Sequence, residues 1–132
     1  MKNREIKYRA WHKLDKRMYK VLKISLIDAV GSEELKVDVG KISSMKTVLW
    51  VKDIELLQYT GLKDKNGTEI YEGDILRVAH NGVEENFKVV FNHGSFMLRF
   101  IGRPIDYCYL GSKIHKEKGE VIGNIYENPG LI

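Results

Sequence analysis

Three runs decide the fold: ILRVAH (75–80), ENFKVVF (85–91) and SFMLRFI (95–101), joined by Asn81-Gly82 and by Asn92-His93-Gly94. Within the second run Phe87, Val89 and Phe91 recur at every second position. Within the third, Phe96, Leu98 and Phe100 do the same. Side chains on a strand alternate between faces, so each trio lines one side of a pleated ribbon. Asn and Gly supply the positive φ that two-residue hairpin turns require. Three strands joined by two such turns predict an antiparallel meander, with these six residues supplying much of its core. Leu98 is the smallest of its trio, so packing there is expected to rest on Phe96 and Phe100.

Outward from the meander the same period-two pattern persists. Turn chemistry at Lys63-Asp64-Lys65-Asn66-Gly67 and at Glu72-Gly73-Asp74 precedes it, and a closing strand is predicted over 121–126. Upstream, apolar and charged residues alternate from Ile6 to Trp11, giving a first strand over 4–11. Residues 18–27 and 35–40 read as a hairpin across a turn at Gly31-Ser32-Glu33-Glu34, and 47–51 as a short β-branched strand. Residues 52–60 read as extended, because Gly61 follows too soon for a helix. Residues 105–114 fit either a strand or a short helix.

The class is therefore mostly β, with a β-rich α+β fold as the variant. Compact antiparallel strands are expected around the meander, which has the length a small SH3-like barrel needs. The 132 residues suit one unit, 1–132. An N-terminal β subdomain (1–60) and a barrel-like C-terminal one (61–132) form the alternative division.

Composition narrows the function classes. The single cysteine, Cys108, excludes an internal disulfide, and its neighbours Tyr107, Tyr109 and Leu110 predict a buried, inert thiol. The N-terminus lacks the apolar core of a signal peptide. No apolar run approaches the roughly 18 residues of a membrane span, so a cytoplasmic protein with no membrane partner is expected. The net charge is +4, but residues 1–23 carry nine Lys/Arg against two acids. Lys7, Arg9 and Trp11 fall on one face of the first strand, opposite Ile6, Tyr8 and Ala10. Lys13, Lys16, Arg17 and Lys20 follow. Cations interleaved with an aromatic can meet phosphates and stack a base, so these seven form a candidate nucleic-acid surface. The competing and preferred reading is a solvated outer strand pair, with Trp11 covering a core edge.

No motif argues for catalysis. The histidines, His12, His80, His93 and His115, lack metal-binding spacing. Glu69, Glu72 and Asp74 cluster within six residues, but Glu72-Gly73-Asp74 is better read as a turn whose Asp bonds its own backbone. His93 and Ser95 flank a glycine in another turn. There is no nucleophile elbow, phosphate loop or dinucleotide fingerprint, so no catalytic, metal or cofactor residue is assigned.

Three stretches together resemble YopX-like proteins, found in phages and prophages of Gram-positive bacteria. They are Arg4-Glu5-Ile6-Lys7-Tyr8-Arg9-Ala10-Trp11; Gln58-Tyr59-Thr60-Gly61-Leu62-Lys63-Asp64-Lys65-Asn66-Gly67 running into Glu69-Ile70-Tyr71-Glu72-Gly73-Asp74-Ile75; and Val121-Ile122-Gly123-Asn124-Ile125-Tyr126-Glu127-Asn128-Pro129. The resemblance implies a β-rich, phage-associated protein and supplies no functional residues. The resulting expectation is a phage or prophage accessory protein acting as a protein-interaction or assembly module. Its partner would be a host or phage protein, or a second copy of itself. A nucleic-acid-binding accessory protein is the alternative, and an enzyme without a recognisable motif the second alternative.

Overall fold

In a computed structural model, residues 4–29, 32–80, 82–102, 107–111 and 119–132 are described. Among them the protein is mostly β, and its sheets are antiparallel. The strands are β1 (Tyr8–His12), β2 (Arg17–Lys20), β3 (Lys23–Ala29), β4 (Ser32–Ile42), β5 (Met45–Trp50), β6 (Ile54–Lys63), β7 (Glu69–Tyr71), β8 (Asp74–His80), β9 (Val83–Asn92), β10 (Ser95–Phe100), β11 (Tyr107–Tyr109) and β12 (Glu120–Asn124). Single 3-10 turns occur at Val51–Asp53 and Pro129–Leu131. The chain forms two compact units. One is Lys7–Gln58; the other is Tyr59–Ile132 with the described residues before Lys7.

In the first unit β1 is a central strand. Its partners are β2, from Arg9↔Lys20 to His12↔Arg17, and the first half of β6, from Tyr8↔Gln58 to His12↔Ile54. The strand begins at Tyr8 rather than residue 4, and Ile6 stands exposed before it. The strand expected over 18–27 is two strands. Val21 N–H donates to Tyr8 O (3.1 Å) and Leu22 N–H to Asp38 O (2.8 Å), so the chain changes partners between adjacent residues. Period two continues across such a handover, which is why the pattern reads as one strand. β3 then pairs with β4 from Lys23↔Asp38 to Ala29↔Ser32. Ser32, Glu33 and Glu34, expected in a turn, are paired strand residues; Gly31 lies outside the described residues. β5 lies on the other side of β4, and a bulge at Asp38/Gly40 shifts the register. Gly40 sits at φ +83, and its N–H donates to Asp38 Oδ1 at 2.8 Å. Ala10, Val37, Leu49 and Ile54 form this unit's core, with Tyr19, Val21, Val39 and Leu56 packed against it.

The second unit contains the meander. β8, β9 and β10 pair in sequence within a five-stranded sheet of order β11-β10-β9-β8-β12, which curls into a half-barrel. His93 (φ 50) and Gly94 (φ 75) are both left-handed, the geometry of a type I′ hairpin turn between β9 and β10. The core is Ile70, Leu76, Val78, Phe87, Val89, Leu98 and Leu110. The Phe87 ring centroid is 4.4 Å from that of Phe100.

Three expectations change here. Phe91 shares the predicted face but is 55% exposed. It pairs with Phe96 beside the hairpin turn, where the sheet runs past its core, and the two rings meet edge-on at 5.2 Å. Leu98, not its aromatic neighbours, is the fully buried residue of β10, since Phe96 and Phe100 are half-buried. The last strand ends at Asn124, because residues 125–127 form a turn. Of residues 105–114, Tyr107–Tyr109 is strand, and residues 105–106 and 112–114 lie outside the described residues. No helix among the described residues is long and apolar enough to cross a membrane.

Candidate functional site

The basic segment is a hairpin whose register sorts its cations. Cross-strand partners share a face. Arg9 and Lys20 are such partners, on the side of Trp11 and Met18. Arg17 is opposite His12 and therefore on the other face. Lys13 and Lys16 occupy the connecting turn, where Lys16 has φ 55 and Lys13 Nζ lies 3.7 Å from Glu55 Oε1. The structure thus brings Arg9 and Lys20 together and sets Arg17 apart. Lys7 is half-buried, and Trp11 is 7% exposed within the central strand.

The acidic cluster resolves into turn chemistry. Asp74 is buried, and its Oδ2 accepts the Tyr71 N–H at 2.8 Å. Gly73, at φ +83, donates to Val89 O and accepts from Ile125 N–H. Among the described residues no three His, Cys, Asp or Glu side chains gather as a metal site. His93 is exposed at the hairpin turn, and Ser95 Oγ donates to Phe96 O at 3.4 Å. Cys108 is half-buried against the meander core rather than fully enclosed, since it lies on the sheet's last strand.

A surface that period-two reading missed lies on the half-barrel face opposite the core. Met97 is register partner to both Val90 and Tyr109, so these three form an apolar row across β9, β10 and β11. Two residues along, Arg99 and Lys88 are direct partners and form a cationic row. Tyr109 is 65% exposed; Met97, Val90, Arg99 and Lys88 are half-buried. A cleft of about 270 Å³ opens beside the cations, lined by Lys88, Arg99, Phe100, Ile101, Gly102 and Ile132. Each strand's alternation is visible in sequence, but the rows exist only through cross-strand register.

The model of the YopX protein family matches residues 7–132. The chain belongs to the YopX family. Among solved structures it is similar to protein EF1440 from Enterococcus faecalis, with 26% identity, a TM-score of 0.65, and coverage of 98% of this chain and 99% of that one. It shares the fold of protein yopX from Bacillus subtilis, with 21% identity, a TM-score of 0.60, and coverage of 95% and 94%. No functionally curated protein matches.

In this YopX chain, two of the family-like stretches meet at a buried carboxylate. Asp64 Oδ1 accepts N–H groups from Asn66 (2.8 Å) and Thr68 (2.9 Å), and Oδ2 accepts Val121 N–H at 2.9 Å. The β6–β7 turn is thereby tied to β12. Lys65 N–H to Gly119 O, and Lys65 Nζ to Glu120 at 3.5 Å, add to the tie. Burial raises the Asp64 pKa, but the bonds from Val121, Thr68 and Asn66 together outweigh it and hold the carboxyl below its ordinary value. At the other end of β12, Asn124 Oδ1 accepts N–H groups from Tyr126 and Glu127, and Asn128 Oδ1 accepts Asn124 N–H. These motif residues close the fold. The sequence signal for Asp64 was its place at the head of an Asp-x-Asn-Gly turn.

Proposed function

We propose that this YopX-family protein is a phage- or prophage-encoded accessory protein that acts by binding other protein chains, as an interaction or assembly module. The observation that carries the reading is the edge of the three-stranded sheet β3-β4-β5. Among the described residues β3 pairs on one side only, and Ile24 on that edge is 40% exposed with Leu22 exposed beside it. A strand with one unpaired row of backbone groups is a template for strand addition, and apolar side chains beside it add contact area.

The test places a photo-crosslinking amino acid at Ile24, in cells producing the protein from a resident prophage. A matched probe at exposed Lys52 serves as control. A discrete adduct at position 24 and none at 52 is the expected result, whether its mass is that of a dimer or of a heterologous complex. Absence of any protein adduct at position 24 would overturn the reading.

A further inference from the structure

The three-stranded sheet β3-β4-β5 turns one face to the core of its unit, where Val37 and Leu49 are buried. Side chains alternate along each strand and cross-strand partners share a face, so the register gives the make-up of the opposite side. Ser25, Lys36 and Trp50 form one row across it, and Lys23, Asp38 and Val48 the next. Past the bulge at Asp38/Gly40, Lys41 and Lys46 are direct partners and form the third. Lys23, Lys41, Lys46 and Val48 are exposed, Lys36 and Trp50 are half-buried, and no residue of the three rows is fully buried.

Four lysines thus stand against one acid. Asp38 is committed to the bulge: its Oδ1 accepts the Gly40 N–H at 2.8 Å, and its Oδ2 lies 3.5 Å from Lys46 Nζ. One carboxylate does not balance four ammonium groups, and like charges directly opposite each other, as at Lys41 and Lys46, are disfavoured. Glu34, the next acid on this side of β4, is the partner of Ile27, one row past Lys36 and away from Lys41 and Lys46. The aromatic member of the surface already holds a cation, since Lys36 Nζ sits 3.8 Å from the centroid of the Trp50 ring.

We infer that this outer face binds single-stranded nucleic acid, with phosphates on Lys23, Lys36, Lys41 and Lys46 and a base on Trp50. Lys46 and Trp50 are four residues apart on β5, roughly 13 Å. The cations therefore run along the strands beside the ring, as a groove that tracks a backbone and offers a stacking platform requires. Lys36 keeps the place of the base. An ammonium over a solvent-accessible ring gains less than a base stacked on it, and Lys36, on leaving the ring, meets a phosphate of the same strand. A duplex keeps its bases stacked on one another and offers none to Trp50. An acidic protein segment satisfies the lysines but gains nothing from the ring. The face is a separate surface from the β3 edge, so the two proposals stand or fall independently.

The experiment titrates the full-length chain into fluorescein-labelled oligothymidine of about 12 nucleotides and follows anisotropy at several salt concentrations. Log affinity should fall against log salt with a slope of about 2–3, four phosphates at about 0.7 each. Lys23→Gln/Lys41→Gln should lower that slope by about 1.4. It spares the Lys46–Asp38 pair and the Lys36–Trp50 contact, so the fold should stand. Trp50→Leu should weaken binding about fivefold or more, and Trp50→Phe should keep most of the affinity. Unlabelled oligothymidine should quench wild-type tryptophan fluorescence but not that of Trp50→Phe, whose remaining Trp11 is buried. That loss of quench and the slope change carry the test if Trp50→Leu fails to fold.

No binding at low salt would overturn the inference. So would a duplex of the same length, or polyglutamate, binding as tightly as oligothymidine. Affinity indifferent to the lysine and Trp50 variants but lost in Lys16→Glu/Arg17→Glu would assign the binding to the basic hairpin and overturn it as well.

Discussion

Asp64→Ala tests whether the stretch that resembles YopX-like proteins acts as a structural clasp. The substitution removes three bonds to a charged acceptor, from Asn66, Thr68 and Val121. Taken singly, such bonds contribute about 1.5–3 kcal/mol each. Two of the donors belong to exposed residues, Asn66 and Thr68, where water can take the place of the carboxylate. Val121 is half-buried and packs against the meander core, so its N–H is the costly one to leave unmet. The expected loss is therefore about 2–4 kcal/mol, less than the sum of three independent bonds. Urea unfolding at neutral pH should show this as a lower midpoint with an unchanged slope.

Asp64→Asn keeps an acceptor but loses the charge, so it should fall between wild type and Asp64→Ala. The pH dependence has a definite sign. The folded carboxyl is held below its ordinary value of 3.8. Its contribution is therefore present well above that value and is lost as pH falls through the lower folded value. The advantage of wild type over Asp64→Asn should be constant near neutrality and shrink below about pH 4. A stability change under about 0.5 kcal/mol for Asp64→Ala would refute the clasp. So would an advantage over Asp64→Asn that grows on acidification.

Leu98→Ala should lower stability by about 2–5 kcal/mol, while Phe91→Ala, at the exposed end of the hairpin, should cost about 1 kcal/mol or less; thermal melts order the two. Gly123→Ala should destabilise the closing turn, because a Cβ there would stand 2.5 Å from Asn128 Oδ1, and amide exchange should quicken first over residues 124–131. If the basic hairpin binds polyanions, log affinity should fall against log salt by about 0.7–0.9 per phosphate neutralised. Lys16→Glu/Arg17→Glu should weaken that binding. Trp11 fluorescence should stay unchanged throughout, because its ring is buried; a quench on adding oligonucleotide would contradict this placement.

What was legible in the sequence, and what was not, follows from the range of each signal. The alternation of Phe87, Val89 and Phe91 is local and states correctly which residues share a face. It does not say where along the strand the core stops, so Phe91 reads as core although the sheet outruns its covering there. The Asn-Gly and His-Gly turns are local too, and they join neighbours in sequence, so the meander is recoverable without coordinates. The partner change at Val21 and Leu22 is not recoverable in this way. One periodic run serves two strands, and only the bonds to Tyr8 and Asp38 reveal the break.

The same limit governs the candidate site. Net charge draws attention to the first 23 residues, where cations are dense in sequence but divided between two faces and a turn. The Arg99–Lys88 pair carries only two charges, eleven positions apart, and a sequence pass has no reason to join them. Register makes them neighbours and sets Met97, Val90 and Tyr109 one row away. A recognition surface on an antiparallel sheet is a pattern across strands, so its chemistry becomes readable only once pairing is known. Here the pairing places the apolar row of Val90, Met97 and Tyr109 beside the Arg99–Lys88 row, a neighbourhood that no single strand's alternation contains.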